Sequence, residues 1–117
     1  MAYSRVTPRA RTGTTGLNVE MDIEAEQGVW VNPPDRVAAV TVAVHIPTGE
    51  TGSFTIETCC NLPETIGEDG TGGFWDNVYG DNVTLSENTT VMIANAVTGI
   101  RVNCISASDH INVAFCG

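Results

Sequence analysis

Few residues in this chain could do chemistry, and their spacing says more than their number. Ser106, Ser108, Asp109 and His110 hold the letters of an acyl-transfer triad in one short stretch. A nucleophile, its base and the group that orients the base normally converge from separate parts of a fold, and no Gly-x-Ser-x-Gly elbow surrounds either serine. Four such residues on one turn read as surface polar groups. His45 falls on the non-core face of an apolar strand, and a Cys104–His110 pair would ask a core thiol to reach a turn imidazole. The 14 acidic residues raise paired-carboxylate hydrolysis, but nothing singles out one pair. Glu20, Asp22 and Glu24 alternate along a single run, which suits a solvated edge or an electrostatic docking surface. Glu68, Asp69, Asp76 and Asp81 lie in a glycine-rich stretch and could offer oxygens to calcium, without EF-hand spacing. Cys59 and Cys60 are adjacent, Cys104 and Cys116 stand far apart, and no Cys-x-x-Cys pair occurs. That argues against zinc and for four reduced, mostly packed thiols. The run GEDGTGGF lacks the Lys-Ser/Thr of a phosphate loop. No catalytic residue, metal site or cofactor is expected, so the chain is read as a binding and assembling protein and not an enzyme.

Two groups of residues are candidates for touching a partner. Arg5, Arg9 and Arg11 give the first 19 residues a charge of +3, whereas the rest sets two arginines against 14 acids, which is −12. This division suits an arm that docks on an acidic surface, a neighbouring copy's included, and it disfavours binding to nucleic acid. Trp75 and Tyr79, beside Phe74, sit in the irregular stretch 61–80. Aromatic side chains on a glycine-rich loop suit a protein interface or a sugar platform; equally, they suit a cap over one end of the core.

The elements that must position these residues are strands. Valine, threonine, isoleucine, asparagine and glycine dominate, and lysine is absent. Residues 1–15 read as an extended basic arm broken by Pro8 and two Thr-Gly steps, and 16–117 as a single domain. Leu17, Val19, Met21 and Ile23 alternate with polar residues and predict a half-buried strand, with a short strand at Val29–Val31. Val40, Val42 and Val44 are expected to pair with Phe54 and Ile56 in a hairpin across Pro47–Thr51. In that register Cys60 faces the core beside Ala38, and Cys59 points away. Val83, Leu85, Val91 and Ile93 suggest two more strands. Ile100, Val102 and Cys104 are expected to pair with Phe115, Val113 and Ile111 in a closing hairpin. Its other face carries Arg101 and Asn103 towards solvent or a partner. The fold class expected is all-β, an antiparallel two-sheet sandwich of jelly-roll type with about seven to eight strands. The most apolar run, Val37–Val44, is too short to span a bilayer, and the N-terminus lacks the apolar segment of a secretory signal. The expectation is a protein that engages no membrane and is made and used without general secretion.

The arm MAYSRVTPRARTGTTG, the lysine-free β-rich body and the ending ANAVTGIRVNCISASDHINVAFCG together resemble small virion proteins of tailed bacteriophages, most of all capsid decoration (cement) proteins. The likeness covers about a fifth of the chain, plus its general build. It implies a homo-oligomer, with a trimer favoured, made in the host cytoplasm and bound to the major capsid protein or another virion protein at the capsid surface. Its arm would reach onto a partner. The four cysteines depart from that pattern. Two other readings share most features: another virion part (head–tail connector, tail or fibre component) and a carbohydrate-binding β-sandwich that uses Trp75 and Tyr79.

Overall fold

The computed structural model describes residues 2–6 as backbone, and residues 17–34, 37–94 and 97–117 with their side chains. Nine strands are assigned among these residues: β1 (Ala2–Val6), β2 (Asn18–Ile23), β3 (Gln27–Val31), β4 (Ala39–His45), β5 (Gly52–Cys59), β6 (Trp75–Asn77), β7 (Thr89–Ala94), β8 (Gly99–Ala107) and β9 (Ile111–Cys116). One helical turn, α1 (Pro63–Ile66), opens the stretch that had read as wholly irregular, and β6 lies near its end. Five strands form a first sheet in the order β1-β3-β8-β5-β6, and four form a second in the order β2-β9-β4-β7.

The pairings have a simple logic. β2 pairs with β9, β3 with β8, β4 with β7 and β5 with β6, all antiparallel. This is a chain folded once into a long hairpin, with its bend between β5 and β6. The hairpin is then rolled, so that β9 also meets β4 and β8 also meets β5. The result is a jelly roll of eight strands in two sheets, as the composition and alternation had suggested. β1 lies outside this plan. It adds to β3 as a parallel edge strand, Ala2 opposite Gln27 through Val6 opposite Val31. Part of the segment read as an arm therefore continues the chain's own sheet.

Rolling the hairpin overturns both pairings expected from the sequence. β4 and β5 belong to different sheets, as do β8 and β9. The loop after β4 and the turn before β9 carry the chain from one layer to the other instead of reversing it within a layer. Alternation specifies which side chains face a common core; it does not say whether they meet beside each other in one sheet or across two. Val42, Val44, Phe54 and Ile56 do share one core with Ile100, Val102, Val113 and Phe115, all essentially without solvent contact. Burying each such side chain stabilises the fold by about 1.5–3 kcal/mol over leaving it exposed. Val83 lies in an exposed loop rather than a strand, and Leu85 makes a lone bridge to Phe54.

Candidate docking surfaces

Part of the outer face of the first sheet is covered by the chain itself. Trp30 on β3, Arg101 on β8 and Glu57 on β5 stand in one row across three strands. Outward-facing residues on a sheet flank normally meet water, yet Trp30 is fully buried and Arg101 keeps only 8% of its surface. The cover is the segment from Asn61 to Trp75. Arg101 donates from Nε and Nη2 to one carboxylate oxygen of Glu57 at 3.1 and 2.9 Å, and from Nη1 to the Gly70 carbonyl at 2.9 Å. Its guanidinium lies 4.2 Å from the centre of the Trp75 ring, and Trp75 meets Trp30 edge to face at 6.4 Å. The indole N–H groups donate to the carbonyls of Glu68 (from Trp30, 3.2 Å) and Gly72 (from Trp75, 2.8 Å). Ile66 of α1 and Cys59 complete a small second core around Trp30. Asn103 donates to Glu57 and Thr55, while its Oδ1 is buried without a partner.

This latch places several sequence candidates. Trp75 is half-buried, with its ring and its N–H engaged in holding the segment down. Phe74, beside it, is 82% exposed, and Leu62 and Tyr79 are also exposed. Asn61 holds the backbone N–H of Phe74 at 2.7 Å, and Asn77 holds that of Tyr79 at 2.9 Å. Arg5 lies on β1, opposite Trp30 in the backbone register. Arg9 and Arg11 lie outside the described residues. Arg101 and Asn103, expected on a face open to solvent or a partner, are instead buried, Arg101 under the latch. Periodicity set their side of the sheet correctly but carried no sign of the cover. The signal that could have found it is glycine: at Gly70, φ is +74° and a Cβ would lie 2.3 Å from the Trp30 ring, so only glycine lets the backbone lie flat on the indole.

The outer face of the second sheet has no such cover among the described residues, and it changes character across its width. On β2, Glu20 and Asp22 are exposed. Asp22 accepts from Asn112 on β9 at 3.0 Å and lies 3.8 Å from His110 Nε2, while Asp109 meets His110 Nδ1 at 2.5 Å. The Asp109 hydrogen bond, with the nearby charges of Asp22, Asp109 and Glu50, raises the His110 pKa above its ordinary value despite partial desolvation. Further across, small residues take over. Rows of paired positions run Glu20–Ala114–Ala43–Thr90 and Asn18–Cys116–Thr41–Met92. β7 closes this sheet with the sequence TTVMIA, on which Met92 is 65% exposed.

The groups weighed for chemistry are dispersed or otherwise engaged. Ser106 bonds Ser53, and Ser108 bonds Glu50 and Thr51. Asp69 is held by Thr71, which lowers its pKa. Among the described residues, no three of His, Cys, Asp and Glu gather as a metal ion would require. Of the four cysteines, Cys59 and Cys104 are buried and Cys60 and Cys116 exposed. Burial pushes the Cys104 thiol pKa up. For Cys59 and Cys60 the expected burial is reversed: Cys59 does point away from the main core, but into the second one, and Cys60 emerges past the end of β5. Comparison with protein-family models, curated proteins and solved structures found no match.

Proposed function

We propose that this chain is a structural protein of a virus particle, specifically a decoration protein that binds the assembled head of a tailed bacteriophage as a homo-oligomer. The observation that carries this reading is the strand order. Eight strands rolled as one long hairpin make a jelly roll, an architecture used by viral capsid domains and lectins. Architecture alone supports many functions, so the surfaces supply the rest. One sheet is partly covered by its own latch and the other presents a face of small residues, a form suited to docking on a large assembly. The acidic strip on β2 would set orientation through charge complementarity. Exposed Phe74 and Tyr79 favour one rival, a carbohydrate-binding domain, because jelly rolls also serve lectins.

Immunogold labelling of particles with antibody raised against the purified chain tests this reading. Label spread over the head surface is the expected result. Label confined to the tail would point to another virion component. Unlabelled particles, together with glycan-array binding lost on Phe74→Ala, would replace it with the lectin reading.

A further inference from the structure

The two sheets have four lateral edges, and three of them resist another strand. β2 carries Glu20 and Asp22 on its exposed face, with Glu24 just beyond it. β6 is three residues long. The other edge of that sheet is β1, five residues that include the charged Arg5. Charge and brevity are among the usual means by which sheets prevent edge-to-edge pairing. Among the described residues β7 has neither: Thr89–Ala94 is six residues long, contains no charge, proline or glycine, and ends its sheet. Beside it, Val78, Ile93 and Val97 line a groove of about 540 Å³ between the two sheets, with Met92, Thr58 and Cys60 among its other walls.

We infer that β7 is a self-pairing edge, along which two copies of this chain join antiparallel and turn the four-stranded sheet into a continuous eight-stranded one. The two-fold self-complementarity of the strand selects a second copy as the occupant, and the strand's lack of charge permits it. The chain carries −9, and most of its surfaces would bring carboxylates together on meeting a copy. β7 lets two like-charged molecules pair without a carboxylate on either strand. Its sequence is also self-complementary under a two-fold axis normal to the sheet. Opposed residues in a sheet must face the same side. Centring the axis on Met92 sets Thr90 against Ala94 and Met92 against Met92 on the outer face, and Val91 against Ile93 on the groove side. Five paired residues on each strand bury less than a permanent dimer needs, so the dissociation constant falls in the micromolar range. This names the contact for the self-association proposed above and rests on that part of it alone; the trimer implied by the phage resemblance would need a different surface.

Sedimentation velocity of the full chain, from micromolar to millimolar concentration, tests the inference. The wild type should move from monomer to dimer. Met92→Lys should raise the dissociation constant by about tenfold or more, since each ten-fold step needs only 1.4 kcal/mol. That substitution lowers the net negative charge, so weaker association cannot come from general repulsion. Met92 is exposed, and an unchanged circular dichroism melt will show that the monomer is intact. Met92→Cys, in a Cys60→Ser, Cys116→Ser background, should form a disulfide dimer under mild oxidation, because opposed strand residues stand within disulfide reach. A wild type that stays monomeric overturns both this contact and the proposed self-association. Dimers or trimers that persist unchanged in Met92→Lys overturn this contact alone. Either result leaves the particle-labelling test untouched.

Discussion

Arg101 shows how much one residue can organise. It is a cation on the outer face of a sheet, buried to 8% exposure, and each of its described contacts belongs to the latch or to the strand beneath it. Removing one member of a buried ion pair leaves the other charge uncompensated, at a cost of about 3–5 kcal/mol. Glu57 retains some solvent contact, so Arg101→Met should fall at the lower end, about 3 kcal/mol, in urea unfolding. Glu57→Gln in the Arg101→Met background should then cost far less than it does alone. Full additivity of the two changes would mean that the pair is not coupled. His110 makes a second residue-scale case, this time at the surface. Its folded pKa is raised, so protonation favours the fold. That contribution is complete below the ordinary value of 6.5 and is lost as pH rises through the higher folded value. NMR titration of the two imidazoles should place His110 above 6.5, and Asp109→Asn should bring it down by removing the leading cause. A wild-type value at or below 6.5 would refute the arrangement with Asp109 and Asp22.

Among the elements, the latch depends on its glycines more than on its short helix. Gly70 has positive φ and lies flat on Trp30, so Gly70→Ala meets both backbone strain and a ring clash. The expected outcome is a loss of more than about 1 kcal/mol, with the segment 61–75 lifted from the sheet while the two-sheet core persists. Trypsin, which cleaves after arginine, should then reach Arg101 no faster, since β8 stays in the sheet. Chymotrypsin should cut at Phe74 or Trp75 much faster than in wild type, and equal cutting rates would count against a latch. The strands themselves were legible because their faces are: Val40, Val42 and Val44 announce a core face by period alone. Partner strands were not, since a loop such as Pro47–Thr51 can close a hairpin or cross between sheets, and local residues serve either. The latch was hidden for a related reason. A buried Arg101 and a buried Trp30 look polar-out and aromatic-out in sequence, and only the distant segment 61–75 makes that face an interior. The strand β7 was legible from Val91 and Ile93, but its place at an edge depends on a sheet order that the sequence does not spell out.

For the whole molecule, net charge is the deciding quantity, and it separates two ways in which copies could meet. The chain carries −9 at neutral pH, with 14 acids, all of them after residue 19. Self-repulsion of this kind destabilises the compact state and is screened by salt, with a Debye length of about 10 Å at 0.1 M. Raising sodium chloride from low ionic strength should therefore stabilise the monomer, by about 1 kcal/mol or roughly 4 °C in Tm. Association responds to the same variable, and its sign depends on the contact. If the arginines of the first 19 residues, at +3, engaged the −12 body of another copy, salt would weaken the complex by screening an attraction. If copies meet along the uncharged β7, the only long-range force between them is repulsion, and salt should tighten the complex. A series of sedimentation runs across ionic strength at fixed protein concentration reads that sign directly. Tightening is the expected result, and a dimer that dissociates as salt rises would move the contact from β7 to the arginine-bearing segment.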